Sequence, residues 1–187
     1  YFDLYQLHAV TTMEDVEEIV SKNGALETFI EARKEGKVKY LGFSAHSVEA
    51  AMALMDHFNF DTILFPVSYN TWYAGNFGPQ VLQRAKENNM GILALKAMAK
   101  GPWPEDAEQN VPKAWYEPFT EPEEALTGLR FTLSHPVTSA IPPGNEDLFS
   151  MALRISNKIT PMEEEEIARI KQSAMNEEPL FTYPMEA

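Results

Sequence analysis

Short apolar runs alternate with stretches whose apolar residues recur every three or four positions, and this alternation constrains the fold more than any other feature. The runs Phe2–Leu7, Val38–Phe43, Thr62–Val67, Ile92–Lys96 and Val137–Ile141 each read as a strand. Their near-continuous apolarity is what a strand covered on both faces requires. Between them, Ala25–Lys37 places Leu26, Phe29 and Ile30 on one face and meets a natural terminator in Gly36. Ser47 predicts the cap of a helix over Val48–Phe58, and Pro79 predicts the start of another carrying Val81, Leu82 and Ala85. Thr120 with Glu123 fits a capping box ahead of Ala125, Leu126, Leu129 and Leu133. A shorter helix is expected over Glu146–Ile155, and Thr160, Pro161 and Glu163 predict a last helix with Ile167 and Ile170.

Repeated strand–helix units build a parallel sheet with right-handed crossovers. Both an open doubly wound sheet and a closed (β/α)8 barrel satisfy that pattern. No Gly-rich fingerprint follows the first strand, so the open dinucleotide-binding sheet has no direct support. A full barrel needs eight strands in roughly 250 residues. The five strands here would be its later part, with three more upstream. The chain opens directly on an expected strand with no Met before it, so it is expected to be a fragment.

The 187 residues suffice for a substantial core, and 44% hydrophobic with 23% charged residues is ordinary for a globular protein. A net charge of −13 argues against nucleic-acid and anionic-membrane partners, which select basic surfaces. With no Cys there is no disulfide, no thiolate metal site and no Cys nucleophile, which fits a cytoplasmic setting. No apolar run is long enough to span a membrane. Ala97–Phe119 breaks the rhythm. A connection of that length is functional or disordered, and Trp103, Trp115, Tyr116 and Phe119 favour an ordered wall.

In either architecture ligands gather at the carboxyl ends of the strands. Those ends present His8; Ser44, Ala45 and His46; Ser68, Tyr69 and Asn70; Lys96, Ala97 and Met98; and Pro142, Pro143, Gly144 and Asn145. A strand-end His acts as acid, base or oriented donor near neutral pH, or it satisfies a backbone carbonyl. His8 and His46 lack further ligands at the other strand ends, and His57 and His135 lie away from them, so no metal is expected. No G-x-S-x-G elbow is present. Lys96 ends an otherwise apolar strand, where an ammonium needs a phosphate, a carboxylate or a route to water.

The stretches "YFDLYQLHAV", "ALETFIEARKEGKVKYLGFSAHS", "GILALKAMAKG" and "LRFTLSHPVTSAIPPG" resemble, in this order, the aldo-keto reductase superfamily, from Phe2 to about Leu153. The resemblance implies a (β/α)8 TIM barrel of which residues 1–175 hold strands four to eight with their helices, followed by an irregular tail over 176–187. It implies NAD(P)H-dependent reduction of small aldehydes and ketones to alcohols, with His8 as the residue that orients the carbonyl. The family's Asp, Tyr and Lys would lie upstream, so the chain alone is expected to be inactive. Ser44 matches the serine that binds the nicotinamide carboxamide, and His46, Asn70, Lys96, Ala97, Gly101, Gly144 and Asn145 complete the expected cofactor set.

The departures are specific. Ala45 replaces a common Asn, Pro66 a common Gln, and Lys96 an aromatic residue. In "IPPGNEDLF", Phe149 stands near the place of a phosphate-binding Arg, and Glu146 and Asp147 would repel a 2′-phosphate. Gly144 and Asn145 still lead into a helix whose amides can bind anions. NADP(H) is expected ahead of NAD(H) by family habit alone. The alternative is a non-catalytic nicotinamide-binding or regulatory barrel protein. A third, structural reading is a truncated product whose open sheet edge drives association. The loop Trp103–Phe119 and the tail at Phe181 and Tyr183 are candidate pocket walls, and the oligomeric state is open.

Overall fold

Thr12 starts the first helix by a reciprocal cap: its side chain accepts from the Asp15 amide, and the Asp15 carboxylate accepts from the amides of Thr11 and Thr12. Those amides hold the Asp15 carboxyl below the usual range. The computed structural model describes residues 1–184. In chain order the elements are β1 (Phe2–Val10), α1 (Met13–Val20), α2 (Ala25–Lys34), β2 (Val38–Ala45), α3 (Val48–His57), β3 (Thr62–Pro66), α4 (Tyr69–Tyr73) and α5 (Pro79–Glu87). There follow β4 (Gly91–Leu95), β5 (Ala99–Gly101), β6 (Glu117–Pro118), α6 (Pro122–Leu133), β7 (Ser139–Ala140), α7 (Glu146–Ile155), a 3-10 turn (Ser156–Lys158) and α8 (Glu164–Ala174). The principal sheet has five strands in the order β1-β2-β3-β4-β7, and β1–β2 and β2–β3 pair in parallel. The fold is thus α/β with a parallel sheet. Among the described residues no helix is long and apolar enough to cross a membrane.

Contacts sort the chain into two units. The first comprises Tyr1–Phe65 with Pro79–Leu93. Leu41, Phe43 and Ile63 of its strands are fully buried, as are Ala51 and Leu54 of α3 and Val81 and Ala85 of α5. Ser47 caps α3 as expected by accepting from the Ala50 amide. Gly36, at φ 75, follows α2 in the left-handed conformation that ends helices without a Cβ penalty.

The second unit comprises Pro66–Gly78 and the chain from Ala94 onward. Its core is aromatic: Tyr69 stacks on Phe119 at 5.8 Å, and Phe131 meets Tyr69, Trp72 and Tyr73. Thr132 of α6 donates to the Val67 carbonyl in the interior. His135 bonds the Phe131 carbonyl through Nδ1, and burial pulls its pKa down.

Several sequence expectations need correction. β1 and β2 run to Val10 and Ala45, so His8 and Ser44 lie inside their strands rather than beyond them. β3 stops at Pro66 and β4 at Leu95, while β7 keeps only Ser139 and Ala140 of the expected run. The Thr120 capping box does not form. Glu121 is the N-cap of α6, because Pro122 takes the first helical position, where its missing N–H costs nothing. The cap of α8 is likewise not Thr160 but Glu163, in a reciprocal pair with Glu166. The long loop is not featureless: β5 and β6 pair antiparallel within it. Of the tail, residues 185–187 lie outside the described ones, and the described part has no helix or strand beyond α8.

Candidate active site

In the first unit, β1 and β2 stay in register from Phe2 opposite Val38 to Leu7 opposite Phe43, then resume with Val10 opposite Ala45. Three steps on β1 therefore face two on β2, which makes His8 and Ala9 a bulge opposite Ser44. Ala9 takes the left-handed backbone, φ 51. Leu7 and Val10 are both buried while His8 is exposed. Ser44, only 4% exposed, accepts the Ala9 amide proton at 2.7 Å and donates to the Leu7 carbonyl at 3.4 Å. The His46 amide donates to the Val10 carbonyl at 3.1 Å. His8, Ser44 and His46 thus come together at one end of the β1–β2 pair. An exposed imidazole there can donate a hydrogen bond to a ligand.

In the second unit, Lys96 follows β4 with φ 70, and its carbonyl accepts from the Ala99 amide to close a tight turn. Its ammonium lies over the rings of Trp115 at 4.6 Å and Tyr116 at 4.2 Å. Burial pulls the Lys96 pKa down to about 8, while the ring faces favour the charged form. Among the described residues no carboxylate pairs with it. Burial also pushes the Tyr116 hydroxyl up to about 12, so it stays neutral. Trp103 braces the same loop by donating to the Ala114 carbonyl at 3.0 Å.

The other expected residues of this unit are drawn into the chain itself. The Asn70 amide nitrogen donates to the Lys100 carbonyl and to Glu177, and its Oδ1 is buried without a partner. Ala97 is buried beneath Gly128 of α6. Gly101 closes β5 near the Glu178 carbonyl. Asn145 caps α7, accepting from the amides of Asp147 and Leu148 at 3.1 and 3.0 Å, while its nitrogen donates to the Pro112 carbonyl. Gly144 faces open space.

A nicotinamide dinucleotide presents phosphates, and an ammonium without a carboxylate partner, Lys96, fits such a group. The start of α7 fits less well. Two of its amides are already capped, and Glu146 and Asp147 stand in its first turn, Glu146 paired with Lys113. Among the described residues, no three His, Cys, Asp or Glu side chains converge as a metal site would need.

Two features escaped sequence reasoning. The bulge left no signal, because a strand covered on both faces can bury Leu7 and Val10 with or without an extra residue. The Lys96–Trp115–Tyr116 cluster had only an aromatic-rich loop to suggest it.

The model of the aldo/keto reductase family matches residues 1–172. No curated protein matches the chain. Among solved structures, an aldo-keto reductase from Bacillus halodurans in its holo form is 19% identical with a TM-score of 0.62, covering 98% of this chain and 61% of its own. An aldo-keto reductase from Klebsiella pneumoniae in complex with NADPH is 16% identical with a TM-score of 0.63, covering 100% of this chain and 63% of its own. A glycerol dehydrogenase from Gluconobacter oxydans is 16% identical with a TM-score of 0.58, covering 98% and 61%. The chain therefore spans less than two thirds of the length of these relatives, and at such identities they speak for the fold alone. With a family match over nearly its whole length and that fold, the chain belongs to the aldo/keto reductase family.

Proposed function

We propose that this chain is the carboxyl-terminal part, strands four to eight with their helices, of a (β/α)8 reductase that converts small aldehydes or ketones to alcohols with NAD(P)H. The observation that carries the reading is the exposed imidazole of His8, set in a bulge at the carboxyl end of β1 in a chain of this family. His8 donates a hydrogen bond to the carbonyl oxygen, which fixes its orientation and favours charge developing there. The cofactor, when bound, supplies the hydride. Lys96 is the residue best suited to hold an anionic group of cofactor or substrate, because its charge has no carboxylate partner among the described residues. The proton donor comes from outside this chain, so the chain alone does not turn over. Klebsiella pneumoniae relatives were solved with NADPH and with NADP and acetate, which supports a nicotinamide cofactor. NADP(H) over NAD(H) rests on those relatives and not on α7.

A second reading, a nicotinamide-binding or regulatory barrel without turnover, is favoured by the commitment of Ser44, Asn70 and Asn145 to bonds within the chain. Cofactor oxidation by the full-length protein, followed against a panel of aldehydes and ketones, separates the two. Turnover that falls about 100-fold or more in His8→Ala with cofactor binding retained supports the reductase. Binding without turnover favours the second reading, and the absence of both overturns each.

A further inference from the structure

We propose that Ser44 is a positioning residue that sets the direction of His8 by holding the β1 bulge. The inference rests on the role given to His8 above. Between Leu7 and Val10, both buried, β1 carries one residue more than β2.

The extra residue has two physical consequences. Ala9 must adopt φ 51, a region that crowds any residue with a Cβ. Its half-buried amide also leaves the regular ladder and needs another partner. Ser44 supplies that partner. Its hydroxyl lies 2.7 Å from the Ala9 nitrogen and donates, more weakly, to the Leu7 carbonyl at 3.4 Å. One side chain therefore grips the backbone immediately before and after His8. A hydroxyl has one donor and two acceptor sites, so the proton and one lone pair are already engaged. Strained backbone persists only where its surroundings hold it, and here Ser44 is the holding contact. The neighbouring His46–Val10 bond locks the strand after the bulge but cannot fix the residues within it.

The test uses the full-length protein with Ser44→Ala, Ser44→Cys and Ser44→Thr, alone and with His8→Gln. Expected in Ser44→Ala is a kcat lower by about 10- to 100-fold, with the dinucleotide Kd unchanged within about twofold. The Ala9 amide loses hydrogen-exchange protection, and the His8 ring signals broaden in NMR. Ser44→Thr restores all three, and Ser44→Ala adds no further loss in the His8→Gln background. Should Ser44→Ala not fold, Ser44→Cys gives the same comparison, because it fills the site with a thiol that is only a weak acceptor. A Kd raised about tenfold with kcat retained makes Ser44 a cofactor ligand and overturns the proposal, as does an additive loss with His8→Gln. If His8→Gln keeps full turnover, the reading of His8 fails by itself. Ala9 protection and the His8 ring signals then still decide whether Ser44 holds the bulge.

Discussion

A Cβ on Gly128 would sit 2.2 Å from the carbonyl oxygen of Ala97, far inside contact distance. Helix α6 thus passes directly over the turn that follows β4, and only a residue without a side chain lets it. Helix propensity alone favours Ala over Gly by about 1 kcal/mol. The packing reverses that sign. Gly128→Ala should lower stability by about 1–3 kcal/mol, the usual range for overpacking, read as a lower urea midpoint. Lys96 begins the same turn, so the Trp fluorescence from its neighbour Trp115 should shift too. A raised midpoint would show that α6 can move away freely.

Lys96 should make stability depend on alkaline pH. Burial lowers its folded pKa to about 8 from 10.5. Below about pH 8 both folded and unfolded chains carry the charge, and the folded one bears the burial penalty. Between about 8 and 10.5 the folded chain has released the proton while the unfolded chain keeps it, so stability rises with pH. Above 10.5 both are neutral. Lys96→Met should therefore be more stable than the parent at pH 7, by about 1 kcal/mol once partial exposure and the lost ring contacts are discounted. That advantage should fade across the same window. Urea midpoints of both proteins at pH 7 and pH 10 check it, and an advantage that grows with pH contradicts it.

The tail is strapped to the loop after α4. The Tyr183 amide donates to the Gly75 carbonyl at 2.7 Å, and Phe181 stacks on Phe77 at 5.1 Å and meets Trp115 edge-on. An added Cβ at Gly75 would fall 2.1 Å from the Phe181 carbonyl oxygen. Gly75→Ala should lift the strap, with hydrogen exchange at the Tyr183 amide faster by about tenfold or more, equivalent to about 1.4 kcal/mol of local opening. Unchanged exchange would mean that the tail is held from elsewhere.

The strand–helix alternation was legible because Phe43, Ile63 and Ile92 sit in runs that only covered strands tolerate. The nearness of His8, Ser44 and His46 followed from strand order alone. What escaped depended on tertiary detail. Helix α1 is short and half acidic, and its signature, Thr12 with Asp15, uses Asp where a capping box more often has Glu. Thr120 and Thr160 gave false caps, because Pro122 and the Glu163–Glu166 pair set the actual starts. The meeting of Lys96 with Trp115 and Tyr116 depends on how β5 and β6 fold the loop back, and no periodicity records that. The tail looked irregular because its order comes from bonds to Gly75 and Asn76 rather than from any repeating pattern.

Arg130 grips Glu166 with its two terminal guanidinium nitrogens, at 2.7 and 2.8 Å, and also donates to the carbonyls of Thr160 and Pro161. The same carboxylate accepts from the Glu163 amide. Arg130 first, then that amide, hold the Glu166 pKa down at about 2 from 4.5. A carboxyl depressed in the folded state contributes stability that is complete above its unfolded value and is lost as pH falls toward the folded one. The docking of α8 on α6 should therefore weaken between about pH 4.5 and 2. Arg130→Met should lower the urea midpoint at pH 7, and the gap between it and the parent should close as pH approaches 2. High salt should narrow the gap only partly, since bidentate pairing resists screening better than a point contact. A gap that persists unchanged at pH 2 would assign the stabilisation to the carbonyl bonds of Arg130, which do not titrate.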